Sequence, residues 1–304
     1  MQLLAHPLRA HLFRFSGWCS LQRICSPHRW GMPHDNRTIP WPQLTHLQIR
    51  GRMSYSHAIS IFMGCPKLLR LLIHVWPPIE FLEVPVTLHN LVSLSIVALD
   101  LSAIVQSISS PSLRDLSIAR ISSTHLESFL SFLTRSSCTL DNLRIDGACL
   151  TSRDFLNLLV HRSCNSLTSL NARQARTYNE VPVDDEVLRR LTLHRDDSLC
   201  PHLKCLRMNC RIQSSPSILL DMVESRFGSR PDQPPHGSLQ YLLLLVNDVD
   251  IIPKLDEVAE KTGIKSRYQN FVYDLHSVWL WRQDFKARLR GSFDSLLFDD
   301  IEGA

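Results

Sequence analysis

Leu113-Arg-Asp-Leu-Ser-Ile118 and Leu140-Asp-Asn-Leu-Arg-Ile145 share one outline, leucine, two polar residues, leucine, one polar residue, isoleucine, and they lie 27 residues apart. The second and third apolar residues of each are two apart, so on an extended chain they project from one side of a short strand. The first leucine, three residues earlier, enters the same core from the bend before the strand. Working outward, the outline recurs as Leu44-Leu47-Ile49, Leu68-Leu71-Ile73 and Leu91-Leu94-Ile96 on one side of this pair. On the other side it recurs as Leu167-Leu170-Ala172, Leu203-Leu206-Met208 and Leu239-Leu242-Leu244. Successive first leucines are separated by 24, 23, 22, 27, 27, 36 and 36 residues.

The first five steps fall in the window of roughly 20–29 residues that leucine-rich repeats occupy. The two longer steps require insertions, assigned to Thr177 to Asp185 and to the Pro-rich Arg230-Pro-Asp-Gln-Pro-Pro-His-Gly237. Helical signals lie between the strands. Leu126, Phe129, Leu130 and Leu133 form one stripe, preceded by a capping-box pattern at Thr124-His-Leu-Glu127; Thr151-Ser-Arg-Asp154 has the same form before Phe155, Leu158 and Leu159. Further helices are expected at Ile218, Leu219, Met222 and Val223 before Gly228, and at Leu255, Val258 and Ala259 before Gly263. The acids Asp184, Asp185 and Glu186 mark another helix start. Strand then helix, repeated, predicts an α/β leucine-rich repeat solenoid. Its form is a right-handed horseshoe with parallel strands on the concave face and helices on the convex face. The expected division is a basic N-terminal arm over 1–40, about eight repeats over 41–263 and a capping segment over 264–304. In that last segment Leu275, Val278, Trp279, Arg282, Phe285 and Leu289 form a helix stripe with Trp281 off it.

Composition narrows the function. Leucine accounts for 49 of 304 residues, glycine for only 10, and no apolar run approaches the roughly 18 residues of a membrane span. The start carries no secretory pattern, so an intracellular protein, cytoplasmic or nuclear, is expected. Residues 1–52 hold seven arginines against one acid, Asp35, so the remainder of the chain sums to −2. A basic arm on an acidic body does not provide the basic folded face that nucleic acid requires. Cys65, Cys138, Cys164 and Cys200 precede strands, where a small residue suits a tight turn; the nine cysteines are expected to be mostly reduced and buried. No metal-ligand spacing occurs, and the acids are dispersed. Neither a cofactor, a metal nor a catalytic constellation is expected.

Trp41-Pro-Gln-Leu-Thr-His-Leu, Gly64-Cys-Pro-Lys-Leu, Ser136-Ser-Cys-Thr-Leu, Leu150-Thr-Ser-Arg-Asp-Phe-Leu and Leu199-Cys-Pro-His-Leu resemble the leucine-rich region of F-box proteins from mushroom-forming fungi. The resemblance covers roughly residues 40–263. It implies repeats that present a surface to protein substrates, and an N-terminal F-box that binds the Skp-type adaptor of a cullin-RING ubiquitin ligase. Residues 1–40 depart from that pattern: they lack a Leu-Pro-x-Glu opening, and Pro27 would interrupt a helix before Trp30. Adaptor binding is therefore expected only if an F-box lies upstream. The alternative is a stand-alone scaffold or inhibitor using the same surface.

That surface follows from the alternation along each strand. The residues between the buried ones face the concave side, and the expected partner-binding positions are His46, Gln48, Arg50, Arg70, Asn142, Arg144, Asp146, Asn171, Arg173, Arg207 and Asn209. The strand from Tyr241 to Val246 is apolar on both sides and is expected to be covered by the C-terminal segment.

Overall fold

The structure is a computed structural model that describes residues 20–21, 41–76, 85–98, 100–174, 183–193, 198–210, 212–227, 239–246, 253–255, 257 and 265–270. Ten strands form one parallel sheet: β1 (Ser20–Leu21), β2 (His46–Ser54), β3 (Arg70–Trp76), β4 (Ser93–Ala98), β5 (Asp115–Ala119), β6 (Asn142–Ala148), β7 (Ser169–Gln174), β8 (Cys205–Asn209), β9 (Tyr241–Val246) and β10 (Lys265–Asn270). Each strand pairs with the next one along this series. Eight of the ten carry the leucine outline. Leu47, Leu71, Leu94, Leu116, Leu143, Leu170, Leu206 and Leu242 are Cα partners from strand to strand, and so are Ile49, Ile73, Ile96, Ile118, Ile145, Ala172, Met208 and Leu244. None of these sixteen is more than 5% exposed, and the first leucines of the outline are buried at least as completely. A one-residue slip of any strand would turn its leucines out of this core, so burial fixes the register.

The chain enters each strand through a repeated device. Leu68, Leu113, Leu167 and Leu203 donate their amides to the carbonyls of Cys65, Ser110, Cys164 and Cys200, closing a turn in front of the strand. The carbonyl of Thr45 then accepts two successive amides, from Leu69 and Arg70, and those of Leu69, Val92, Arg114, Asp141, Thr168 and Lys204 do the same for the strands that follow. Cys65, Cys138, Cys164, Cys200 and Cys210 are buried, and Cys149 and Cys205 are half-buried.

Six α-helices have named spans, α1 (Tyr55–Gly64), α2 (Leu101–Gln106), α3 (Ser123–Ser136), α4 (Ser152–Val160), α5 (Asp185–Leu191) and α6 (Pro216–Phe227), and residues 253–255 are helical as well. Their buried faces, including Tyr55, Phe62, Ile104, Phe129, Phe132, Phe155, Leu188 and Met222, join the strand leucines in one continuous core. The helices therefore lie on one side of the sheet. Short parallel pairs, Val86–Thr87 with Ile108–Ser109 and Val183–Asp184 with Ile212–Gln213, sit outside the main sheet.

Several expectations are corrected. α1 and α2 place helices between the first four repeats, where the sequence pattern marks none. α3 has Ser122, not Thr124, at its N-cap, and no side-chain cap bond is made; the Ser122 hydroxyl is engaged by Thr124 Oγ1 at 2.7 Å and His125 Nδ1 at 2.8 Å. The Thr151–Asp154 capping box does form, and Asp184 caps α5 through the amides of Glu186 and Val187. The sheet also extends past both ends of the expected repeat region. Ser20–Leu21 pairs with β2, and Lys265–Asn270 pairs with β9 over six residues. Gly228, the Arg230–Gly237 insertion, Val258, Ala259, Gly263 and the stripe from Leu275 to Leu289 with Trp281 lie outside the described residues.

Candidate polar-face docking site

The sheet face turned away from the helices carries the candidate site. Its first column runs His46, Arg70, Ser93, Asp115, Asn142, Ser169, Cys205, Tyr241, and its second Gln48, Leu72, Ser95, Ser117, Arg144, Asn171, Arg207, Leu243, each residue in register with the next. The alternation along the strands is visible in β4, where Leu94, Ile96 and Ala98 are buried while Ser93, Ser95 and Val97 are half-buried.

The structure divides the expected partner-binding positions into two groups. Asn142, Arg144, Asp146, Asn171, Arg173, Arg207 and Asn209 come together on the adjacent strands β6, β7 and β8. His46, Gln48 and Arg70 lie on β2 and β3, with β4 and β5 between the groups, a separation of about 14 Å at the usual strand spacing. Two bulges alter the third column. β2 shifts register between Ile49 and Arg52, so Arg52 rather than Arg50 pairs with His74; Arg50 falls in the irregularity, and its side chain is outside the described residues. Against β7, β6 shifts register between Ile145 and Ala148, so Asp146 and Arg173 are not Cα partners; Asp146 stays aligned with Ala119 of β5 and Arg173 with Asn209 of β8.

Burial separates these side chains further. Gln48 is 5% exposed, its Nε2 makes no hydrogen bond, and its neighbour Leu72 is 2% exposed, so the second column is closed on β2 and β3. Asp146 is 8% exposed, and its Oδ2 accepts from Arg144 Nε at 2.6 Å. Arg70, Asn142 and Asn209 are exposed, and His46, Arg144, Asn171, Arg173 and Arg207 are half-buried. Burial lowers the His46 pKa and the neighbouring Arg70 charge lowers it further, which favours the neutral ring. Asn142 Nδ2 donates to Asp115 Oδ1 at 2.5 Å across the β5–β6 pair. The Arg207 guanidinium carbon lies 4.8 Å from the centroid of the Tyr241 ring, a cation–π contact. Asp115 and Tyr241 stand outside the expected anchor set. The signal that could have found them is register, since each is the first-column neighbour of a residue within that set or diagonal to one.

Among the described residues no group of three or more His, Cys, Asp or Glu side chains is placed to hold a metal ion, and no helix is long and apolar enough to cross a membrane. Comparison of the chain with protein families, with curated proteins and with solved structures finds no match. The arrangement on β6–β8 offers hydrogen-bond donors, acceptors and cations on a rigid sheet.

Proposed function

We propose that the chain is a leucine-rich repeat solenoid whose polar sheet face is the concave docking surface for a protein, acting as the substrate-recognition part of an F-box-type ubiquitin-ligase receptor. The observation that carries this reading is the register: eight leucine triplets occupy eight successive parallel strands with their leucines aligned. Stacking of identical units buries a continuous core and leaves a continuous face of alternating side chains, the arrangement by which solenoids bind extended partners. The ligase assignment draws on the resemblance of the pre-strand and helix motifs to fungal F-box proteins. Tagged full-length protein recovered from fungal cells tests it. A receptor brings down a Skp-type adaptor and a cullin together with a substrate protein.

The second reading is a stand-alone scaffold or inhibitor without ligase association. It requires only the polar sheet face of β6, β7 and β8. Stoichiometric recovery of one partner without adaptor or cullin would favour it, and recovery of no partner at all would defeat both readings.

A further inference from the structure

We propose that His161 is a pH-sensitive clasp: while neutral it holds the C-terminal end of α4 to α3 and to the turn before β6, and its protonation releases that hold. The clasp lies on the helix side of the sheet, so it stands apart from whatever docks on the other face.

Hydrogen bonds fix the state of the ring. His161 follows the last residue of α4 and begins a single 3-10 turn, Arg162–Cys164. Its Nδ1 accepts the amide of Ser163 at 3.2 Å, so that nitrogen presents a lone pair and the proton of the neutral ring sits on Nε2. Nε2 lies 3.0 Å from Thr134 Oγ1 on α3. The Thr134 hydroxyl donates its own proton to the Leu130 carbonyl at 2.9 Å and is left to accept from Nε2. Both ring nitrogens are thus matched only by the neutral Nε2–H tautomer. Protonation puts a hydrogen on Nδ1, facing the hydrogen of the Ser163 amide. Ser163 is 0% exposed, and a buried donor that loses its acceptor is costly. The Ser163 carbonyl accepts the amide of Leu140 at 2.8 Å, just before β6, and its hydroxyl accepts from Cys138 Sγ at 3.9 Å. A loosened Ser163 therefore loosens the entry to β6 as well.

The charges around the ring act in the same direction. α4 packs between α3 and α5. The immediate neighbour is Arg162, whose Nη2 donates to the Thr134 carbonyl at 3.2 Å and to Ser137 Oγ at 3.1 Å. That cation already answers the negative end of α3. α3 adds Arg135, bound to the carbonyls of Val105 and Ile108, while its His125 and Glu127 lie at least about 10 Å along the helix from Thr134. Arg153 and Asp154 are equally far from His161 along α4, at least about 10 Å. On α5, Asp184 is the N-cap, Asp185 and Glu186 flank Arg189 at 3.5 Å, and Arg190 follows. The neighbouring strand turns carry Asp141 on one side and His202 and Lys204 on the other, and the thiols Cys138 and Cys164 are buried. No carboxylate among the described residues forms an ion pair with His161. Burial lowers the His161 pKa and the Arg162 charge lowers it further. The unfolded chain therefore binds the proton more readily than the folded one. The clasp is complete above the ordinary histidine value of 6.5 and is lost as pH falls through the lower folded value.

Nuclear magnetic resonance and urea denaturation of the full-length chain test the clasp. In the unmodified protein, the ring signals of His161, assigned through backbone correlations, should show the Nε2–H tautomer at about pH 8. Followed down to about pH 4.5, they should titrate with a midpoint below that of the same ring in urea-unfolded protein. Denaturation then compares the unmodified protein with H161N, whose Oδ1 can accept from the Ser163 amide but cannot be protonated. From about pH 7 to about pH 5 the unfolded-to-folded ratio of the unmodified protein should rise at least roughly two-fold relative to that of H161N. Amide exchange at Leu140, corrected for its intrinsic pH dependence, should quicken over the same range in the unmodified protein and not in H161N. A folded midpoint at or above the unfolded one, or a neutral ring with its proton on Nδ1, overturns the proposal without reference to any variant. So does a stability ratio to H161N that stays constant across the range, and equal Leu140 protection in both proteins would overturn the coupling to β6.

Discussion

Arg144 and Asp146 lie two residues apart on β6 and are joined at 2.6 Å from Nε to Oδ2, each side chain only 11% exposed. The pair sits at the β6 bulge. Gly147 follows with φ of 61°, and the Asp146 carbonyl accepts the amide of Arg120 at 2.7 Å. An ion pair this sheltered contributes little net stability when intact but is costly to break from one side, because the remaining charge keeps its desolvation penalty. D146N should therefore destabilise the protein by about 1–3 kcal/mol, and R144Q/D146N by less than the sum of the two single changes. Urea denaturation of the four proteins forms the cycle; strict additivity would show that the contact carries no energy.

Arg226 presents the same physics in a fully buried setting. It is 1% exposed on the last turn of α6. Its Nε donates to the Leu191 carbonyl at 2.5 Å, Nη1 to Cys200 at 3.0 Å and Nη2 to Leu199 at 2.7 Å. One guanidinium thus ties the end of α5 to the turn before β8. Burial lowers its pKa to about 10, Cys200 opposing the shift, so it remains a cation at neutral pH. R226M leaves three carbonyls without these donors and should cost about 3 kcal/mol or more. R226K keeps the charge but not the planar fork, so it should fall between R226M and the unmodified protein. A denaturation midpoint unchanged in R226M would refute this account.

These two arginines also show where the sequence becomes illegible. The sheet is legible in the sequence because its buried positions repeat at fixed offsets, which aligns Leu47 through Leu242. The bulge at Arg50-Gly51 follows the last apolar residue of its triplet, where the pattern no longer constrains the chain. α1 bears an apolar stripe, Tyr55, Ala58, Ile59 and Phe62, yet β2 runs into it at Tyr55 with no glycine or proline to mark the change. α2 is six residues long, too short for a 3.6-residue period to show. Within the candidate site, alternation marks Gln48 as outward, but its burial depends on what packs over the face. Arg226 reads as a solvent-facing residue at the end of an amphipathic helix, and only the convergence of three distant carbonyls makes it part of the core.

The cysteines should behave as inert core residues. Burial pushes the Cys65 and Cys200 thiols up to about 11 and Cys210 to about 12, with Arg226 partly offsetting the effect at Cys200. Cys164 is raised by burial and by its neighbours Cys200 and Cys138, and Cys138 by burial against the hydrogen bond to Ser163. A two-unit rise lowers the thiolate fraction about a hundred-fold. Iodoacetamide at about pH 8 should therefore modify the half-buried Cys149 and Cys205 long before Cys65, Cys200 or Cys210. Peptide mass mapping of native and urea-unfolded protein reads the order, and native-state labelling of Cys200 at the rate of Cys205 would contradict it.

Asp154 gives the fold a defined acid sensitivity. Its Oδ2 accepts from Thr151 Oγ1 at 2.8 Å, the Thr151 amide at 3.2 Å and Ser123 Oγ at 2.5 Å, while its own amide donates to Thr151 Oγ1 at 3.2 Å. The carboxylate thereby caps α4 and joins it to the first residue of α3. Burial pushes its pKa up, but the hydrogen bonds from Ser123 and Thr151 and the charge of Arg153 outweigh burial and hold it below the ordinary 3.8. A folded value below the unfolded one means that the unfolded chain binds the proton more readily. The cap's contribution is then complete above the ordinary aspartate range and is lost as pH falls below 3.8 through the lower folded value. D154A should cost about 1 kcal/mol at about pH 7, the usual worth of a capping side chain. The gap between D154A and the unmodified protein should narrow as pH falls through that window. Denaturation midpoints across pH provide the measurement, and a gap that stays constant down to about pH 2.5 would show that the carboxylate's charge plays no part in the cap.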